Sequence, residues 1–226
     1  MRHHATSICH RSLNGLHKFP NLHETRVRLR VSWQTRAAEI FSGIFTPFGV
    51  VAIISIVFSW FSPIGLGPLM NPLSSAFVGI VTLCLAPFVP VLYSTTAGRT
   101  DLDVSDLTKR VPLYALGLIG YVMGIATFLV LNNKLMFVMA VAYLCVGLAM
   151  CLITLGWKIS AHTAGIAGPT TALVLVFGIW VAPLYSLSIL MVWARVKLCA
   201  HTPNQAVAGL IVAITITSIV FLLFYS

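Results

Sequence analysis

Long apolar runs alternate with short polar segments along this chain from about residue 37 onward. Because a helix needs about 20 apolar residues to cross about 30 Å of hydrocarbon, each long run predicts a membrane-spanning helix. The run at 184–197 is shorter and predicts a seventh helix that is marginal for a full crossing. The pattern therefore predicts an all-α, polytopic bundle of six or seven spans. The six longer runs are 38–61, 73–93, 112–131, 135–157, 164–182 and 204–225.

The composition supports a membrane protein. Hydrophobic residues make up 58% of the chain and charged residues only 8%, whereas a soluble domain carries about 25% charged residues. Much of the net charge of +9 lies in residues 1–36, which are rich in Arg and His and contain one acid, Glu24. We expect 1–36 to be a basic, disordered tail, which also resembles a targeting peptide, and 37–226 to be the transmembrane domain.

The basic tail does not indicate nucleic-acid binding, because the chain lacks the aromatic and fold signatures of nucleic-acid readers. Such charge also serves to hold a chain at a lipid surface, so membrane lipids are the expected partners. If the tail stays on the cytoplasmic side, the first span runs outward.

Beyond residue 40, the ionisable side chains fall in three clusters, with Lys134 the one exception. Charge is costly within an apolar protein, so its concentration at a few segment ends indicates a site. Counting spans from the tail places all three clusters on the tail's face, provided that 184–197 is a real crossing that follows a break at Pro183. The clusters are Arg99, Asp101, Asp103, Asp106, Lys109 and Arg110; Lys158 and His162; and Arg195, Lys197 and His201.

The second and third clusters carry a recognisable pattern. The segment Ile159-Ser160-Ala161-His162 and the segment from Ala194-Arg195 to His201 resemble the second and third signatures of the type 2 phosphatidic acid phosphatase superfamily, written PSGH and SRxxxxxHxxxD. Arg110-Val111-Pro112 is a weaker counterpart of the first signature, KxxxxxxRP, because Asp103 stands where the lysine is expected. The resemblance covers roughly the last 130 residues.

This resemblance implies metal-independent hydrolysis of a lipid phosphate monoester or an isoprenoid diphosphate, through a phosphohistidine and without a cofactor. By motif position, His201 is the nucleophile and His162 the general acid. Arg110, Ser160 and Arg195 are the implied phosphate ligands, and Arg99, Lys109 or Lys158 is expected to replace the missing lysine. Independently of the family, His162 and His201 are the only histidines outside the tail, and both precede or open predicted helices, where backbone N–H groups favour an anion.

The chain also departs from the family pattern. Gln205 occupies the position of the aspartate that orients the nucleophile, so an amide without charge is expected to hold His201. Ala194 replaces the serine of the third signature and removes one phosphate donor. These losses leave open a second interpretation, in which the protein is a catalytically weakened relative that binds lipid headgroups.

The acidic residues of the first cluster suggest a third interpretation. Asp101, Asp103 and Asp106 could hold magnesium and a prenyl diphosphate, as the Asp-rich loops of intramembrane prenyltransferases do. No second carboxylate cluster is present, however. We therefore favour a structural role, in which these acids cap the third span and form ion pairs with Lys109 and Arg110.

Overall fold

The computed structural model describes residues 33–101, 104 and 106–225, and the regular structure in this part of the chain is all helical, without strands. The predicted all-α fold is therefore confirmed. Asp103 and residues 1–32 of the predicted tail lie outside the described residues. The helices are α1 (Trp33–Ile44), α2 (Pro47–Phe61), α3 (Pro72–Thr96), α4 (Leu107–Val130), α5 (Lys134–Thr154), α6 (Ala161–Phe177), α7 (Ile179–Lys197) and α8 (Pro203–Phe224).

Five of these helices, α3, α4, α5, α7 and α8, are long and apolar enough to cross a membrane. The pair α1 and α2 meets the same criterion when taken together, but it is bent by 48°. α6 is apolar and shorter, with 17 residues. The described residues thus provide five candidate spans, or six with the bent pair, as expected of an integral membrane protein.

The turn between α6 and α7 lies at Gly178, and the predicted break at Pro183 is wrong. Gly178 has a φ of +93°, a conformation that residues with a side chain rarely adopt. Its N–H closes α6 on the carbonyl of Val174. The helical run continues through Pro183, which lies in the 3₁₀ segment Ile179–Leu184 that opens α7. As a result α7 has 19 residues, enough for about 28 Å at 1.5 Å per residue.

The N-terminal boundary also differs from the prediction. α1 begins at Trp33, inside the stretch expected to be a disordered tail. Its apolar face packs on α7 and buries Ala38 and Ser42, while Trp33 and Ile40 remain exposed. Burial of one face supplies the packing that stabilises an amphipathic helix of this length. Charge composition alone did not reveal this pattern.

Helices α2, α4, α6 and α8 begin at the same end of the bundle. We name this the cationic end, because it carries Arg110, Lys158, Arg195 and His201. At the opposite end, the Nζ of Lys134 at the start of α5 donates a hydrogen bond to the backbone carbonyl of Tyr225, just after α8. The alternation of helix directions therefore gathers four helix N-termini at the cationic end.

Candidate functional site

The two signature segments at the starts of α6 and α8 are directly bonded to each other. The N–H of Ser160 donates to the carbonyl of Gln205 at 3.2 Å, and the hydroxyl of Thr163 donates to the carbonyl of Ala206 at 2.8 Å. Gly209 permits this approach, because a Cβ at that position would overlap the Ser160 carbonyl. The second and third clusters therefore form one structure.

Arg110 brings the first cluster to the same place. Its side chain is only 2% exposed. Nη1 donates to the carbonyl of Ile159 at 3.0 Å, and Nε donates to the carbonyl of Val104. The start of α4 is thereby joined to the segment that precedes α6. The three charged clusters converge at one end of the bundle, as the topology predicted.

His201 lies in the turn before α8, is 6% exposed, and has a strongly perturbed pKa. Burial lowers the pKa to about 3, helped by the charges of Arg110, Arg195 and Lys158, while a hydrogen bond to the backbone carbonyl of Lys158 acts in the opposite direction. The imidazole is therefore neutral at pH 7. A neutral imidazole retains the lone pair that a nucleophile or general base requires.

Gln205 does not orient His201 in this structure. Its Oε1 accepts a hydrogen bond from the N–H of Thr202 at 3.0 Å, and the Thr202 hydroxyl accepts one from the Gln205 N–H at 3.4 Å. This reciprocal capping box satisfies amides at the start of α8. The Nδ1 atom of His201 is buried and has no hydrogen-bond partner among the described residues. The prediction that Gln205 holds the imidazole is therefore wrong, and the hydrogen bond to the ring of His201 is made by the backbone of Lys158.

Two of the expected phosphate ligands are buried and hydrogen-bonded within the protein. Ser160 is fully buried, and its hydroxyl accepts a hydrogen bond from the N–H of Thr163, which makes it the N-cap of α6. Arg195 is 3% exposed, and its Nη1 donates to the hydroxyl of Ser42 on α1 at 2.9 Å. The charge of Arg195 still acts on the pKa of His201. Arg195 therefore acts on the site at least through its electric field.

Of the three cations considered for the missing lysine, Lys158 is the one whose charge reaches His201. The other two make local contacts. Lys109 contacts the carbonyl of Arg99 and lies 3.7 Å from Asp106, and the guanidinium of Arg99 lies 5.8 Å from the ring centroid of Tyr93.

Asp106 has the structural role that we favoured for the acidic residues. Its carboxylate caps α4 by accepting hydrogen bonds from the hydroxyl of Thr108 at 2.7 Å and from the Thr108 N–H at 3.0 Å. These bonds, with a smaller contribution from Lys109, lower the pKa of the carboxyl group. Within the described ranges, no three His, Cys, Asp or Glu side chains are grouped as a metal site would require.

A cavity of about 480 Å³ opens beside these residues, and we call it the chamber. Arg110, His162 and His201 line it at the cationic end, together with Thr46 at the start of α2. The remaining wall consists mainly of apolar and aromatic side chains from α2, α3, α4, α5 and α6. A chamber of this size with a few polar groups at one end has the character of a small-molecule or lipid site.

Helix geometry adds positive potential where the chamber meets the cationic end of the bundle, which we call the mouth of the chamber. The residues that open α2 and α6, including Phe48 and Ala161, line the chamber, and His201 immediately precedes the N-cap of α8. Each helix N-terminus carries a partial positive charge and amides that lack intrahelical partners. Together with the guanidinium of Arg110, these groups favour an anion at this end.

No protein-family model matches the chain, and neither does any curated protein or solved structure. The interpretation of the site therefore depends on its own geometry.

Two elements of the site could not be found from the sequence. Ser42 lies inside an apolar run, with no motif to associate it with Arg195. The chamber wall includes residues such as Cys84 and Tyr143, which lie on helices α3 and α5, where the sequence has no recognisable motif. Only the polar residues at the mouth could be identified from the sequence, because charged residues and histidines stand at the predicted helix starts.

Proposed function

We propose that this protein is a membrane lipid phosphatase. The observation that carries the proposal is the presence of a neutral imidazole, His201, and a buried guanidinium, Arg110, at the mouth of an otherwise apolar chamber. A phosphate would lie at the cationic end and its hydrocarbon chain in the chamber. The substrate class is a lipid phosphate monoester or an isoprenoid diphosphate.

The reaction proceeds in two displacements. The imidazole of His201 attacks phosphorus, an N–P bond forms and the P–O bond to the lipid breaks, with His162 giving its proton to the leaving oxygen. Water then attacks phosphorus, transfers a proton to His162, and breaks the N–P bond. The products are the dephosphorylated lipid and phosphate, and both histidines return to their starting states.

The cations stabilise the charge that develops on the phosphoryl oxygens. Arg110 lines the mouth itself, while Lys158 and Arg195, which do not line the chamber, act on His201 through their charges. In an environment from which water is largely excluded, such fixed charges contribute more than they would in water. Burial, with these charges, lowers the pKa of His201 and keeps the imidazole unprotonated, so that it can act as a nucleophile. By the positive-inside rule, this end faces the cytoplasm.

Phosphate release from a panel of phosphatidate, phosphatidylglycerophosphate and prenyl diphosphates, with and without chelator, tests this function. We expect turnover that resists chelator and is abolished in His201→Ala. Lys197→Ala is the matched control, because it removes an exposed cation from the same end of the bundle, one that contacts Gln34 on α1. Turnover that persists in His201→Ala would overturn the mechanism.

A headgroup-binding protein without turnover is the second candidate. It is favoured by the engagement of Ser160 and Gln205 in helix capping and by the absence of a hydroxyl at Ala194. This candidate predicts saturable binding of lipid phosphates to purified protein with no phosphate release from any of them. A requirement for magnesium would instead support the prenyltransferase interpretation of the Asp101, Asp103 and Asp106 segment.

A further inference from the structure

The chamber has a definite depth. Its lining residues on α4 run from Arg110 to Tyr121, and those on α5 run from Met150 back to Met139. Each stretch covers eleven residue steps, which correspond to about 16 Å at 1.5 Å per residue. The two adjacent helices α4 and α5 therefore give the same depth, about half of the hydrocarbon thickness of a bilayer.

Along α4 and α5, the chamber residues farthest from the cationic end are aromatic and sulfur-containing side chains. The rings of Tyr121 and Tyr143 are stacked, with centroids 5.6 Å apart and planes 18° apart. Met139 is almost completely buried beside them and lines the same cavity. One turn further along α5, Met136 is fully buried in the core and does not line the chamber. These three residues, Tyr121, Met139 and Tyr143, form what we call the floor.

We infer that the floor sets the length of the hydrocarbon chain that this protein accepts. The inference rests on the proposed function only in that the phosphate is taken to lie at Arg110 and His201. With the phosphate held there, a chain of about 16 Å fills the chamber, and a longer one meets the floor. Densely packed protein interiors resist the insertion of extra methylenes.

The expected dependence on chain length follows from the membrane setting. A chain that leaves a detergent micelle or bilayer is already in an apolar medium, so burial alone favours no particular length. Short chains leave part of the chamber unfilled and lose packing contacts. Long chains overpack it, with a loss of about tenfold or more in affinity. Affinity should therefore peak at an intermediate length.

Binding of non-hydrolysable alkyl phosphonates to the full chain in detergent micelles measures this peak without any need for turnover. The phosphonates form a series of increasing chain length, each held at the same mole fraction in the micelle. We expect the highest affinity when the extended chain matches about 16 Å and a fall of about tenfold or more beyond it. A parallel series with prenyl chains shows which chain type is preferred at matched length.

Three variants make the assignment specific to the floor. Met139→Ala should move the peak to longer chains, and Ala142→Leu, which adds bulk to the wall beside the floor, should move it to shorter ones. Met136→Ala is the matched control, because it removes the same side chain from the same helix outside the chamber. Its peak should stay where it is in wild type.

The outcomes separate this inference from the proposed function. Saturable phosphonate binding with no preferred length, or a peak that neither Met139→Ala nor Ala142→Leu moves, would overturn the chain-length role and leave the phosphate site intact. Absence of saturable binding at every length would overturn the phosphate site itself. If Met139→Ala does not fold, the chain length at which Ala142→Leu binds most tightly tests the role of the floor by itself.

Discussion

The Nη1 of Arg195 donates a hydrogen bond to the hydroxyl of Ser42 across 2.9 Å, although the two residues are 153 positions apart. Both side chains are buried, at 3% and 5% exposure. The bond fastens α1 to the third signature segment and fixes a guanidinium whose charge acts on His201. A helix that lies before the first complete span thus contributes to the electrostatics of the site.

Ser42→Ala should lower the free energy of unfolding by about 1.5–3 kcal/mol, because a buried hydrogen bond to a charged group is lost. Ser55→Ala is the matched control, since Ser55 is equally buried but bonds only to the carbonyl of Val51 in its own helix. Its loss should stay within about 1 kcal/mol. Chemical unfolding in detergent compares the two variants, and equal losses would contradict a special role for the Ser42 contact.

The stability of the protein should fall as the pH is lowered from about 6.5 towards 3. The pKa of His201 is about 3 in the folded state against 6.5 without burial, so the unfolded state binds more protons in this window. The slope attributable to His201 should approach about 1.4 kcal/mol per pH unit at most. Unfolding curves of wild type and His201→Asn are measured across this pH range. The difference between their free energies of unfolding isolates the contribution of His201, because carboxylates such as Asp106 contribute equally to both proteins. A difference that does not change with pH would show that His201 is not held neutral by burial.

Gly209→Ala should separate the starts of α6 and α8. The added methyl group would overlap the Ser160 carbonyl and press on the hydroxyl of Thr163, so we expect a loss of about 1–3 kcal/mol from overpacking. Gly43→Ala is the matched control, because nothing lies within 4 Å of a Cβ at that helical position. It should be neutral or slightly stabilising. Thermal unfolding of both variants measures the contrast, and a neutral Gly209→Ala would mean that the two helix starts do not pack as closely as described.

Tyr143→Phe should leave stability unchanged or raise it by up to about 1 kcal/mol. The Tyr143 hydroxyl is buried and has no hydrogen-bond partner among the described residues, so its removal relieves an unsatisfied donor. The ring, which stacks on Tyr121, is retained. Thermal unfolding of the ligand-free protein decides this prediction. A loss of more than about 1 kcal/mol would indicate that the hydroxyl is hydrogen-bonded in the folded protein, for instance to a water molecule.

The helical class and the place where the charged clusters meet could be predicted because their causes are local. Apolar runs of the length needed to cross a bilayer specify helices, and charge in such a chain is tolerated only where it is paired or at segment ends. Arg110, His162 and His201 were found from these signals and from motif spacing. The exact turn at Gly178 was missed because proline is the stronger breaker in general, whereas the backbone conformation here required glycine.

Other features of the site depend on contacts between distant segments, and no local signal encodes them. The pairing of Ser42 with Arg195 and the floor formed by Tyr121, Met139 and Tyr143 arise only when helices pack. Gln205 illustrates a different limit. Its position in the motif suggested that it orients His201. In the structure its amide oxygen instead accepts a hydrogen bond from the backbone N–H of Thr202, a nearby donor at the start of α8.

The most direct test of the phosphatase mechanism is capture of the covalent intermediate. Purified protein is mixed with a lipid phosphate labelled in its phosphoryl group, quenched in alkali, where phosphohistidine is stable, and examined for label on the peptide that contains His201. We predict label on His201 in wild type, more persistent label in His162→Ala when the leaving group is one of low pKa that needs no general acid, and none in His201→Ala. Label that remains in His201→Ala, or release of phosphate from wild type without any label on His201, would contradict the mechanism.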